Sequence, residues 1–213
     1  MKRFVFGVLG ILVLAVSTAP AAPEPAVVQS PTQWTIDTEY THPQQIILQK
    51  TANNKPMVFW YMIITITNNT GDDVNFYPKC DLMTDNFQII PEGKDVTPAV
   101  FEQIKQRHKS RYPLLKSLNQ TDNKLLQNEE NSKDIAVIWR DFNDKAKDIT
   151  IFITGLSNET AVVNHPLLKE DPSGRPQQVF LRKTLELKYT VKGDFSSRYG
   201  MSVDFKGKRW IMR

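Results

Sequence analysis

From Trp34 onward the chain alternates apolar and polar side chains over segment after segment, the period of two that marks strands buried on one face. In "WTIDTEY", Trp34, Ile36, Thr38 and Tyr40 alternate with Thr35, Asp37 and Glu39. "QQIILQ", just after Pro43, predicts a shorter strand suited to a sheet edge. Met57 to Thr67 differs, with Trp60, Met62, Ile64 and Ile66 on one side and Phe59, Tyr61 and Ile63 on the other. A strand apolar on both faces belongs in the middle of a sheet. "NNTGDD" then predicts a turn, since Asn tolerates left-handed backbone angles and Gly71 adopts them without steric cost. Val74, Phe76 and Pro78 resume the alternation, so Trp60 to Pro78 reads as a core hairpin, and Asp81 to Ile90 predicts one more strand.

The period changes at "TPAVFEQIKQRHKSRYP". Thr97 suits an N-cap, Pro98 the first helical position and Pro113 a stop, which predicts a helix over about 97–112. Phe101, Ile104, His108 and Tyr112 fall on one stripe at spacings of three and four, while Lys105, Arg107, Lys109 and Arg111 project elsewhere. Residues 114–133 are polar and without a period, and read as a long connection. Strands return at Asp134 to Phe142 and at Asp148 to Leu156, where Ile149, Ile151 and Ile153 share a face. A proline-studded loop follows from about His165 to Pro176. The longest alternation then places Val179, Leu181, Leu185, Leu187, Tyr189 and Val191 inward and Arg182, Glu186, Lys188 and Thr190 outward. "RWIMR" closes the chain as a short strand or a packed tail.

About eight strands, one inserted amphipathic helix, no βαβ rhythm and no internal repeat predict an all-β fold. The expected architecture is an antiparallel immunoglobulin-like β-sandwich over residues 34–213, with a closed barrel as the alternative. The Cys…Trp…Cys core of antibody domains is missing, so this expectation rests on strand number and spacing.

The first residues change the picture of where the protein works. Lys2 and Arg3 precede a 13-residue apolar run, Phe4 to Val16, and an A-x-A site at Ala19-Pro20-Ala21. That is the pattern of a secretory signal at residues 1–21, cleaved after Ala21, and the run is shorter than the roughly 20 residues a bilayer span requires. An uncleaved N-terminal anchor is the alternative. Residues 22–33, rich in proline and small side chains, read as a linker. A periplasmic or extracellular location is expected. With 213 residues, 40% of them hydrophobic, the chain can bury one substantial core. Its one cysteine, Cys80, cannot form an internal disulfide, so stability must come from packing.

Several stretches taken together carry a likeness. The aromatics at residues 59–61 before a β run, then "TNNTG", "FYP", "TD", "ITGLS", "LRKTL" and the closing "WIMR" resemble the pattern of a family of exported, uncharacterised bacterial proteins. The chain is also similar, more distantly, to small bacterial immunoglobulin-like domains that carry "NNTG" between two strands. The likeness spans most of residues 34–213. It implies export and the β-sandwich, and it implies no particular activity or site.

Candidate chemistry is sparse. His42, His108 and His165 lie far apart, without the spacing of a zinc motif, and Cys80 stands too early for a late Cys, His and Met cluster of the copper-carrier kind. "NEEN" and "DPSG" lack the spaced oxygens of a calcium loop. No G-x-S-x-G is present, and Asp81 and Asp85 on one strand would stand about 13 Å apart, too far for glycoside hydrolysis. Asn68, Asn119 and Asn158 begin N-x-Thr sequons, which in a bacterial chain mark only turns and in a eukaryotic secretory route would be sugar acceptors. No cofactor or metal is expected. Charge is more informative: Val179 to Arg213 holds nine Lys or Arg against three acids in a chain whose formal charge is +4, or +2 without Lys2 and Arg3. Lys105, Arg107, Lys109, Arg111, Arg182, Lys188, Lys206, Lys208 and Arg209 are therefore the candidate binding residues. The ordinary reading of such charges is a solvated strand face protected against aggregation. The functional reading is contact with another envelope protein, or with an anionic polymer or lipid of the envelope. Nucleic acid is not expected, because no recognisable binding motif accompanies the charge. The sequence thus points to a non-enzymatic exported module with a structural or binding role, with an envelope hydrolase assembled from distant loops as the alternative.

Overall fold

In a computed structural model, which describes residues 26–28, 32–48, 56–165, 173–174 and 177–213, alternation becomes strand almost throughout. The described residues are 51% strand and 10% helix, in several antiparallel sheets with one α-helix. The first strands are β1 (Ala26–Val27), β2 (Asp37–Tyr40), β3 (Gln44–Leu48), β4 (Met57–Thr67), β5 (Val74–Asn75), β6 (Lys79–Thr84) and β7 (Ile89–Pro91). Helix α1 (Pro98–His108) follows, then β8 (Lys116–Ser117), β9 (Lys124–Leu125) and β10 (Lys133–Arg140). The chain ends with β11 (Asp148–Thr154), β12 (Thr160–Asn164), β13 (Gln178–Lys192) and β14 (Ser202–Met212). The expected leader, residues 1–21, lies outside the described residues, as does most of the expected linker.

The two-faced strand β4 organises the rest. It is the hub of a five-stranded sheet, with β2 and β3 following one another along one side and β10, then β8, along the other. One face of β4 and β10 (Trp60, Met62, Ile64, Ile66, Ile135, Val137, Trp139) is buried in a single apolar cluster. The same cluster includes Leu82 of β6, Ile149, Ile151 and Ile153 of β11, and Leu185, Leu187, Tyr189 and Val191 of β13. Those strands belong to a seven-stranded sheet ordered β1-β12-β13-β11-β6-β7, with β14 on the other side of β13. The opposite face of β4, with Phe59, Tyr61 and Ile63, is covered by Val100, Phe101 and Ile104 of α1. Both sides of the reading of β4 are therefore filled, at about 1.5–3 kcal/mol for each large side chain removed from water.

Several expectations need correction. The strands outnumber the eight expected, because short pairings interrupt segments that composition alone presents as loops or as single runs. Trp60 to Pro78 is not a hairpin: β5 pairs with β9 in a separate two-stranded sheet. The cause is Asn68, 2% exposed, whose side-chain amide donates to the carbonyls of Asp72 (3.0 Å) and Leu125 (2.9 Å) and pulls the chain away from β4. Asp81 to Ile90 is two strands, since Thr84 Oγ1 accepts from the Gln88 amide (3.0 Å) and Phe87 takes a left-handed φ of 63°, closing a tight turn. Residues 114–133 carry β8, β9 and two short 3-10 turns rather than a plain connection. The helix stops at His108, four residues short of the expected 112, and Thr97 makes no side-chain cap. "RWIMR" is the end of an eleven-residue strand.

Between β11 and β12 the chain leaves the ladder. Thr154 faces Thr184 and Thr160 faces Arg182, so residues 155–159 stand opposite Lys183 alone. The extra residues reach toward the other sheet, where the Ile36 amide donates to the Leu156 carbonyl (2.8 Å) and Ser157 Oγ donates to the Trp34 carbonyl (2.8 Å). Gly155 makes the departure feasible. Its φ is +94°, and a Cβ there would lie 2.5 Å from the Tyr77 carbonyl oxygen. Gly155→Ala is expected to cost about 2–4 kcal/mol in denaturant unfolding, against about 1 kcal/mol for Gly71→Ala, where φ is also positive but the space is open. Equal costs at the two positions would show that the kink is not held by this close approach.

Candidate binding surface

Strand β14 pairs on one side with β13, and no strand among the described residues pairs with its other side. Two aromatic residues on it, Phe205 and Trp210, are five apart and would face opposite ways in a regular strand. The ladder is broken between Lys188 and Tyr189, which face Gly207 and Phe205, so Lys206 is the additional residue of a bulge. That insertion resets the phase. Val203, Phe205, Lys208 and Trp210 now face Val191, Tyr189, Leu187 and Leu185, on the core side of the sheet. Because β14 is an edge, Phe205 and Trp210 remain 42% and 38% exposed there.

The rings of this flank are partnered by histidine and cations. His42 lies 5.3 Å from the Phe205 ring and 5.6 Å from the Tyr189 ring, centroid to centroid. Lys208 Nζ stands 5.8 Å from the Tyr40 ring, and Lys183 Nζ stands 5.2 Å from the Trp210 ring. Burial pushes the Tyr189 and Tyr40 hydroxyls above their ordinary pKa, so both stay protonated donors at neutral pH.

The nine basic residues singled out by sequence fall into separate groups. On β13 and β14 the face turned away from the core carries Glu186, 5% exposed, clamped by Arg209 and approached by Lys188 at 3.6 Å. The Arg209 hydrogen bond holds the Glu186 carboxyl below its usual range. Arg182 is exposed and lines a recess of about 260 Å³ beside Trp34, Tyr77 and Asn158 at the β11–β12 kink. Lys206 and Lys208 form no ion pair among the described residues. Lys105, Arg107, Lys109 and Arg111 belong to α1 and its exit, on the outer side of the five-stranded sheet, so the basic helix and the Glu186 row occupy opposite outer faces of the protein. There Lys105 covers the Phe101 ring (5.9 Å), Arg111 covers Tyr112 (5.3 Å), and Arg107 donates to the Gln45 carbonyl (3.2 Å). Sequence reasoning missed Phe205, Trp210, Tyr40 and His42 as one set. The odd spacing of Phe205 and Trp210 around "KGK" is the signal that a bulge unites them.

Other titratable groups are accounted for locally. His108 Nε2 and the Tyr61 hydroxyl are hydrogen-bonded at 2.8 Å, and burial, then Arg107 and Arg111, lowers the histidine pKa. Burial also drives the Cys80 thiol up, which leaves it a poor nucleophile. Asp81 pairs with Lys79 (2.9 Å) and Arg213 (3.8 Å), while Asp85 accepts the Lys147 amide (3.1 Å). Asn68 is buried as a turn residue, consistent with its sequon marking backbone geometry. No group of three or more His, Cys, Asp and Glu suited to a metal occurs among the described residues, and no helix there is long and apolar enough to cross a membrane. Comparison with protein-family models, with curated proteins and with solved structures finds no match.

One carboxyl stands apart. Glu92 is half-buried in a cleft of about 130 Å³ with Val96, Phe101, Glu102, Ser117 and Ile138, and burial raises its pKa from 4.5 to about 7. A carboxyl with a raised native pKa holds its proton longer in the folded state, so the contribution of Glu92 to stability is most favourable below pH 4.5 and is lost as pH rises through about 7. Glu92→Gln is expected to remove that decline and to gain about 1–2 kcal/mol at pH 8, after allowance for partial exposure of the cleft. Urea unfolding of both proteins at pH 4.5 and pH 8 checks it, and parallel pH dependences would show that the carboxyl is well solvated.

Proposed function

We propose that this protein is an exported, immunoglobulin-like β-sandwich module of the cell envelope that acts by binding rather than catalysis, with β14 and the adjoining half of β13 as its contact surface. Two sheets facing each other across one apolar cluster support the sandwich reading. The basic n-region, apolar run and A-x-A site at residues 1–21 support export. The observation that carries the binding reading is the gathering on β14 of two cations without an ion pair among the described residues, Lys206 and Lys208, beside the half-exposed rings of Phe205 and Trp210. Charged and aromatic side chains together favour a partner that offers anions and something flat or apolar to cover the rings. The helix cations are a weaker candidate, because the rings beside them, Phe101 and Tyr112, are buried and half-buried rather than exposed, and Arg107 already donates to the Gln45 carbonyl.

Two measurements test this. Cell fractionation is expected to find the chain in the periplasm or medium, shortened after Ala21, whereas a full-length cytosolic product would overturn the export reading. In binding assays with two anionic probes, polyglutamate and phosphatidylglycerol vesicles, the pair Lys206→Glu with Lys208→Glu is expected to weaken binding about tenfold. The pair Lys105→Glu with Lys109→Glu on α1 is expected to change it less than about twofold. The reverse ranking would move the contact surface to the helix.

A further inference from the structure

Resting on that reading of β14, we infer that the free edge of this strand receives an extended acidic polypeptide segment, which adds to the seven-stranded sheet as a further strand. Three observations converge on the edge itself rather than on a general basic patch. First, β14 runs for eleven residues, and the backbone groups on its side away from β13 have no hydrogen-bond partner among the described residues. A row of that length is a template for main-chain pairing. Second, the strand is held in place at both ends before any partner arrives. The Met201 amide donates to Gln45 Oε1 (2.9 Å) at its start, and Arg213 and Arg182 exchange both backbone hydrogen bonds (2.8 and 3.1 Å) at its end. An ordered edge loses little entropy when a strand is added. Third, Phe205 and Trp210 are left substantially exposed on one face, where the alternate side chains of an added strand would lie about 5 Å away and cover them.

Charge selects the occupant. The segment Lys206-Gly207-Lys208-Arg209 carries no acid, and Asp204, the one acid on the strand, forms an ion pair with Lys192 at 3.5 Å. An antiparallel pairing of two β14 strands around this segment would set Lys and Arg against Lys and Arg, which is unfavourable across a ladder. A second copy of this chain is therefore the wrong partner for this edge. An acidic strand with apolar residues opposite Phe205 and Trp210 covers both rings, and its carboxylates meet the positive charge of the segment that holds Lys206 and Lys208. The partner adds outside the core rather than entering it, because the His42–Phe205 and Lys208–Tyr40 contacts close the gap between the sheets on this flank. Lysine and a bulge are also the usual protection of an exposed edge. Protection alone does not account for two exposed aromatic rings on the same strand.

The test uses the full chain and three probes of matched charge: an acidic peptide alternating Glu and Val, a peptide of the same Glu count with proline in place of Val, and polyglutamate. Amide hydrogen exchange read by NMR is the decisive measurement. The alternating peptide is expected to bind and to slow exchange of the outward β14 amides by about tenfold or more, and the proline peptide is expected to leave them unprotected. Lys206→Glu with Lys208→Glu should lower affinity for the alternating peptide by about tenfold while leaving the circular dichroism spectrum unchanged. Equal binding of all three probes without added protection would overturn strand addition and leave the basic contact surface standing. Binding of none would overturn both. Concentration-dependent dimerisation that protects the same amides would assign the edge to a second copy and overturn the inference.

Discussion

A strand that is apolar on both faces must be covered on both faces, and in this protein that requirement falls on Met57–Thr67. One face is met by β6, β11 and β13 of the second sheet, the other by α1. The helix is thus not an ornament on an all-β framework. Without it Phe59, Tyr61 and Ile63 would open to water, and each such side chain is worth about as much as a tenth to a third of a typical domain's net stability. The Tyr61 hydroxyl shows how closely the cover is fitted. Although its ring is fully buried, the oxygen reaches Gln44 Oε1 (3.1 Å) on one side and His108 Nε2 (2.8 Å) on the other. The same strand, through Trp60, fixes the far end of the core, where Trp60 Nε1 donates to Asp141 Oδ1 (2.9 Å).

Asp141 in turn anchors the approach to β14. Arg198, in a left-handed conformation with φ of 62°, donates to both oxygens of Asp141 and to the Phe142 carbonyl (3.2 Å), and lies 4.9 Å from the Phe142 ring. The Arg198 carbonyl and the Met201 amide are then both taken by the side chain of Gln45. A chain of contacts therefore runs from the central strand through a charged pair to the loop that launches the edge strand. The other departure from regular pairing, at 155–159, ties the two sheets together through Glu159, Lys183 and Thr35, with Lys183 Nζ donating to Thr35 Oγ1 at 3.3 Å. Where ladder hydrogen bonds are given up, polar side chains or main-chain bonds to the other sheet replace them.

What was legible in the sequence was what period and burial control. The two faces of β4, the shared face of Ile149, Ile151 and Ile153, the edge position of β3 and the inward set from Leu185 to Val191 all follow from alternation, because a strand cannot hide an apolar row except against another apolar row. What was not legible depends on single side chains acting at a distance in sequence. Asn68 turns the chain by bonding a carbonyl 57 residues later, and no local pattern announces that. The segment "TAVVN" carries no strand expectation, because its five residues are too few to show a period beside a proline-rich stretch. For the candidate surface, composition located the charge, and the bulge at Lys206 decided which residues share a face. A parity rule applied across a bulge assigns Phe205 and Trp210 to opposite sides, so the aromatic half of the surface was invisible until pairing was known.

The cations of this flank are also more than a sum of charges. Lys208 and Lys183 are held over Tyr40 and Trp210, and Arg213 stands 4.0 Å from the Phe152 ring while reaching Asp81. A cation resting on a ring is partly stripped of water and fixed in direction, so an incoming anion meets it with less reorganisation than it would meet a free lysine. Arg209 and Lys188 are different, because Glu186 already engages them and an anion would have to compete with a buried carboxylate held in its ionised form. The face of β13 and β14 that looks most basic by residue count is therefore largely neutralised from within. The two lysines flanking Gly207, on the edge itself, form no ion pair among the described residues, so the uncompensated charge of this flank lies on the strand's margin rather than on the flat of the sheet.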